Sequence, residues 1–266
     1  MNKGLKKPAD EATCDPRSRK AVVITDLRTR EARDAAAYLT DLGYSVHPVP
    51  ESIALYDEQA LSAFAQPLAD TLLGVIHPAP PLFLSPLLET SEEDFAKARD
   101  EGPLSAWCVT KVFGGLFRRR GEGCLIYLSS IHAEKPVGHG FLFSTGCGAV
   151  QMLSREVSQD YGTSGIRSYF VQRGPTDSDP DGRTPLSTLY CGLPLRYPSR
   201  RMPPRGQLNP LLAFLLTPES APLSGSDLRA DSGMTMYYGE RITAEQAEEI
   251  HQRRLRGEEG SILGEK

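Results

Sequence analysis

The chain has 266 residues, 39% of them hydrophobic, with 30 basic and 34 acidic side chains and a formal net charge of −4. That length and composition suit one α/β domain with a substantial core, and the charge offers no bulk attraction to nucleic acid. No apolar run is long enough for a membrane span, and five scattered cysteines (Cys14, Cys108, Cys124, Cys147, Cys191) without a CxxC pair point to free thiols in a reducing, cytoplasmic setting and to no metal site.

Residues 1–19 are polar and lack the apolar segment of a secretory signal, so a disordered arm is expected there. Apolar runs then alternate with helical patterns. "AVVIT" (21–25) reads as a buried strand, and "REARDAAAYLTDLG" (30–43) as a helix closed by Gly43. "YSVHPV" (44–49) is a short strand, 57–70 a helix interrupted by proline, and "TLLGVIH" (71–77) a buried strand. Residues 91–121 give one or two helices broken at Gly102-Pro103. "CLIYLSS" (124–130) and "IRSYFVQ" (166–172) are strands flanking a helix at 148–162, and a helix at 210–217 precedes a last strand at 226–231. Continuous apolar strands alternating with helices predict βαβ units and a parallel sheet covered on both faces. Residues 179–208, rich in proline and arginine, keep neither periodicity and predict a long irregular loop. "ITAEQAEEIHQRRLRG" (242–257) opens on a capping box, Thr243 to Gln246, and predicts a C-terminal helix within a 241–266 tail.

Two blocks carry a family likeness. In "GCLIYLSSIHAEKPVGHGFLFSTGCGAVQMLSREVSQDYGTSGIRSYFVQRGPTDSD" a strand ends in Ser-Ser, and Phe143 stands thirteen residues after Ser130 and four before Cys147. "LLAFLLTPESAPLSGSDLRADSGMTM" supplies a helix, a glycine turn and a short strand. Their order and spacing resemble the short-chain dehydrogenase/reductase family over residues 20–240. The resemblance implies a Rossmann-like, doubly wound parallel sheet, shortened here between the second and fourth family strands by roughly 20 residues, so that a helix and a strand beside the adenine pocket are expected to be missing.

The resemblance also implies a catalytic tetrad of Asn, Ser, Tyr and Lys, whose positions fall at Gly102, Ser130, Phe143 and Cys147; Ser130 alone keeps the family's residue. A phenyl ring has no proton to transfer in acid–base chemistry. The family's glycine fingerprint, which lets a pyrophosphate approach a helix start, aligns with "TDLRTREA" and places Asp26, Arg30 and Ala32 where glycines are expected. "HPAP" (77–80) replaces an Asn-Asn-Ala-Gly segment, and Pro50 falls where a ribose-binding acid is expected.

These replacements lead to the expectation of a non-catalytic member that binds no cofactor itself and supports an active, NAD-binding relative in a hetero-oligomer. That arrangement is similar to the two-chain hydroxyacyl-CoA dehydrogenase of the benzylsuccinate pathway, in which one subunit is degenerate. Family geometry puts the interface on two helices, with Trp107, Val112, Phe113, Leu116, Phe117, Val150, Met152, Leu153 and Val157 as contact candidates for that relative or for a second copy. Other readings stay open. Ser130, or Cys147 paired with His132 or His139, could carry a different chemistry. The vacated pocket could serve a sensor. Arg28 and Arg30, or the loop arginines Arg183, Arg196, Arg200, Arg201 and Arg205, could meet an anion such as a coenzyme A ester.

Overall fold

The computed structural model describes residues 20–176, 197–199, 201–236 and 252. The expected arm at 1–19, the expected C-terminal helix at 242–257 apart from residue 252, and most of the 179–208 loop, including Arg183, Arg196 and Arg200, lie outside the described residues.

Six strands form one parallel sheet: β1 (Ala21–Ile24), β2 (Ser45–Pro48), β3 (Leu72–Pro78), β4 (Gly123–Ser130), β5 (Ile166–Arg173) and β6 (Asp227–Ala230). Their order across the sheet is β2-β1-β3-β4-β5-β6. The helices are α1 (Arg30–Asp41), α2 (Glu58–Ala65), α3 (Glu92–Arg99), α4 (Ser105–Arg120), α5 (Phe141–Tyr161) and α6 (Asn209–Leu216). This is the doubly wound arrangement expected from the alternating pattern. Among the described residues β2 is an outermost strand, and the stretch from it to β3 holds one α-helix, α2, continued by a short 3-10 turn at Gln66–Leu68.

The side-chain alternation of the strands divides the core into two layers. Val23, Leu125, Tyr127 and Phe170 meet Leu61 of α2, Val109, Phe113 and Phe117 of α4, and Val150 and Val157 of α5. Val22, Ile24, Ile126 and Val171 meet Ala35 and Leu39 of α1 and Leu212 and Leu216 of α6 on the other face.

Element ends follow local chemistry. Thr29 caps α1 by accepting the Ala32 amide, and α1 hands over to β2 through Gly43 at φ +87°, a left-handed conformation that suits glycine. Ser91 and Asp94 form a reciprocal capping box on α3. The break expected at Gly102-Pro103 is a π-helical segment, Asp100–Leu104, joining α3 to α4, because Pro103 lacks the amide an α-helical turn needs. Helix α5 begins at Phe141, seven residues before the expected 148.

Candidate functional site

The sheet places the site. Successive strands run outward in opposite directions from β1 and β3, so the carboxyl ends of these two neighbours form the crevice where ligands bind in open α/β sheets. At its floor Thr25, just after β1, and His77, in β3, are both buried and share a hydrogen bond of 2.7 Å between Thr25 Oγ1 and His77 Nδ1. Burial holds the His77 imidazole neutral by lowering its pKa from 6.5 to about 4.

The turn from β1 into α1 is tied by its own side chains. Asp26 accepts the Arg28 amide at 2.7 Å and pairs with the Arg28 guanidinium at 2.8 Å, which reaches on to Glu101 at 3.0 Å. Arg33 Nη1 donates to the Leu27 and Arg28 carbonyls at 2.7 and 3.0 Å. Glu31, in the first turn of α1, lies 3.8 Å from Arg173 and accepts from Thr176 at 3.3 Å. The helix start therefore already faces carboxylates of this chain, the charge that a helix amino end attracts. Of the three residues standing for fingerprint glycines, only Asp26 shapes this turn. Arg30 is exposed and lines no cavity described here, and the Ala32 methyl is buried in the core layer that includes Ala35, Leu39, Leu212 and Leu216.

The opposite wall is α5. Phe143 and Cys147, one turn apart, face a cavity of about 260 Å³ that is also lined by Gly102, Gly146, His77, Tyr127 and Ser129. The Cys147 thiol is buried and contacts Ser129 and the Ser130 backbone; burial pushes its pKa up to about 11, so it carries no thiolate at neutral pH. Ser130 closes β4 directly beside Arg173 of β5, and its hydroxyl accepts the His132 amide at 3.2 Å. It lines a smaller crevice, of about 70 Å³, with Glu31, His132, Phe143 and Arg173. The structure thus brings Gly102, Phe143 and Cys147 to one cavity and Ser130 to its neighbour, with Phe143 between. The His132 ring stands edge-on to Phe143 with centroids 6.2 Å apart, and its Nδ1 meets the Lys135 carbonyl at 2.8 Å. No pairing of Cys147 with His132 or His139 is seen among the described residues.

The family comparison agrees with this geometry. A family model described as enoyl-(acyl carrier protein) reductase, one of the short-chain dehydrogenase/reductase type, matches residues 18–235. The chain belongs to the short-chain dehydrogenase/reductase family. It is 24% identical over 159 residues to a tropinone reductase homologue of Arabidopsis thaliana, covering 58% of this chain and 60% of that protein, so the chain spans about three-fifths of that relative's length. In fold it resembles the gluconate 5-dehydrogenase of Burkholderia cenocepacia in complex with NADP and tartrate, at 16% identity and a TM-score of 0.72 over 84% of this chain and 99% of the other. It also resembles a halohydrin dehalogenase bound to ethyl (2S)-oxiran-2-ylacetate, at 16% identity and a TM-score of 0.67 over 84% of this chain and 100% of the other. One scaffold with such different bound molecules shows the fold and leaves the ligand to the site's own chemistry.

In this short-chain dehydrogenase/reductase the expected interface residues divide. Val112, Phe113, Leu116, Phe117, Val150 and Val157 are buried in this chain's own core, which corrects their assignment to a partner surface, and Leu153 packs against the same cluster. Trp107 and Met152 are exposed, at 48% and 51%. His77 and Thr25 stand within the "HPAP" and "TDLRTREA" segments but were given no role there, and Glu101 was not among the sequence candidates. A histidine ending an otherwise apolar strand run was the available signal for the first. Arg28, one of the arginines that could meet an anion, is engaged by Asp26 and Glu101, and Arg205 pairs with Asp34 of α1 at 2.6 Å. Among the described residues no cluster of His, Cys, Asp and Glu could hold a metal, and no helix is long and apolar enough to cross a membrane.

Proposed function

We propose that this chain is a non-catalytic member of its family that supports an intact, NAD-dependent dehydrogenase in a hetero-oligomer. The observation that carries the reading is the pair on α5. At the position implied for a proton-donating tyrosine stands Phe143, which cannot titrate, and at the position implied for lysine stands a buried Cys147 thiol held at about 11. Neither group offers acid–base chemistry at neutral pH. The turn after β1 supports the same reading. The Asp26 carboxylate occupies the Arg28 amide at 2.7 Å, so a pyrophosphate finds that donor already taken at a position where the family resemblance implies glycine. On this reading the intact partner supplies the cofactor, the proton relay and the substrate specificity, and a two-chain arrangement of the hydroxyacyl-CoA dehydrogenase kind is one form it would take. Trp107 and Met152, exposed on α4 and α5, provide apolar contact area for it.

The test is calorimetric titration of NAD, NADH, NADP and NADPH into the purified chain, at protein concentrations that register millimolar binding. No heat from any of them is expected, together with stoichiometric co-purification with an intact family member. Micromolar binding of any of the four overturns the reading in favour of an oxidoreductase with a rebuilt site.

A further inference from the structure

We propose that the crevice at the amino ends of β1, β3, β4 and β5 is a binding site for a monocarboxylate with an apolar body. It lies at the opposite end of the sheet from the crevice described above, and its occupancy is independent of the proposed function.

The turns of the fold build it. Lys20 precedes β1, Gly43 lies between α1 and β2, Leu73 stands at the start of β3, Glu122 lies between α4 and β4, Arg167 stands at the start of β5, and Thr217 follows α6. Together they border a cavity of about 710 Å³, inside the ~300–1,000 Å³ range of ligand pockets. Much of the wall is apolar, with Leu42, Leu73, Leu216, Pro218 and Ala221 on it. Leu42 is 54% exposed, apolar surface that the body of a ligand would remove from water.

Charge sets the chemistry. Three charged groups on the lining are basic, Lys20, Arg120 and Arg167, and two are acidic, Glu122 and Glu219. Glu122 faces Arg120, 4.0 Å from its Nε, and the Arg120 fork also donates to the Ala69 and Leu72 carbonyls at 2.7 and 2.6 Å. Arg167 differs. It donates to the Thr217 and Leu216 carbonyls at 2.6 and 3.1 Å, and among the described residues no carboxylate pairs with it. Those two carbonyls by themselves would repel an anion, and the guanidinium covers them. They hold its fork in place without cancelling its charge. A guanidinium has five N–H donors, so part of that fixed fork remains for a carboxylate. Lys20, exposed, adds a second positive charge. The Tyr44 phenol, whose pKa burial raises, stays neutral. With one basic group in excess, a single negative charge balances the lining and a cation would add to the imbalance.

The experiment titrates octanoate, its neutral counterpart octanamide, and inorganic phosphate into the full chain by calorimetry at low ionic strength. Octanoate is also titrated into two variants, Arg167→Gln, which keeps a donor for the α6 carbonyls, and Ala221→Trp, which fills the cavity from an exposed position. Circular dichroism confirms that each variant is folded. Saturable, submillimolar binding of octanoate is expected, with octanamide and phosphate at least tenfold weaker and octanoate binding at least tenfold weaker in each folded variant. Absence of saturable octanoate binding overturns the proposal and leaves Arg167 as a cap on α6. Octanamide or phosphate binding within tenfold of octanoate, or a loss of less than tenfold in a folded variant, overturns it as well. Nicotinamide nucleotide binding at the other end of the sheet bears on the proposed function alone.

Discussion

His77 concentrates the physical tension of the site in one ring. It sits in a buried strand, bonded to Thr25 at 2.7 Å, with its pKa lowered from 6.5 to about 4 by burial. The neutral ring is the form the fold accepts, so the stabilisation linked to it is complete above about pH 6.5 and disappears as pH falls toward 4. At 1.36 kcal/mol per unit this amounts to about 3 kcal/mol. Unfolding free energy measured across that range is expected to fall steeply in the wild type and less steeply in His77→Gln. His132, lowered in the same direction by burial, maintains part of the slope in the variant. At this scale the sequence disclosed Phe143, Cys147 and Asp26, because losing a titratable group or gaining a carboxylate is legible from residue type. It did not disclose the bond from Thr25 to His77 or the clasp of Arg28 on Glu101, whose partners lie 52 and 73 residues apart and meet only through the sheet order.

Elements were more legible than contacts. Apolar runs located every described strand within a residue or two, because the four inner strands, buried on both faces, leave uninterrupted apolar stretches. The start of α5 was not legible. Gly140, Gly146 and Gly148 are poor helix formers and Gly140 offers no side-chain cap, yet the helix, with Leu142 and Cys147 buried, runs back to Phe141. The turn from α5 into β5 shows the opposite case, where one glycine is indispensable. Gly165 has φ +73°, and a Cβ there would lie 2.0 Å from the Gly121 carbonyl oxygen of the turn after α4. Gly165→Ala is therefore expected to cost at least about 2 kcal/mol in denaturant unfolding, because left-handed strain and steric overlap add. Unchanged stability would mean that these two turns separate freely.

For the whole molecule, family and fold were legible from the order of motifs, while the cavity that Phe143 and Cys147 face was not, since it is defined by the volume that Gly102, Gly146 and Cys147 leave unfilled. The interface candidates failed for a related reason. Helical spacing finds apolar residues but does not distinguish a face packed on the sheet from a face turned outward, and six of the nine belong to the core. Trp107 is the one to test. Its ring is 48% exposed and lies under the Lys111 ammonium, 5.2 Å from the ring centroid. On the proposed reading Trp107→Glu leaves the melting temperature of the isolated chain within a few degrees and lowers co-purification with an intact relative severalfold; undiminished association would place the contact elsewhere.

The outer strand β2 limits how any other chain attaches. The Ser45 and Val49 amides donate inward to the Lys20 and Ile24 carbonyls, so by alternation the His47 amide also turns inward and positions 46 and 48 turn outward. Position 48 is proline and has no amide, and the Tyr44 amide is already spent on the Leu39 carbonyl. Along that border Val46 is thus the single donor presented outward, too few for an incoming strand to zip into a ladder. Growth of the sheet from one molecule into the next is blocked at this edge, and with it a common route to fibrous aggregation.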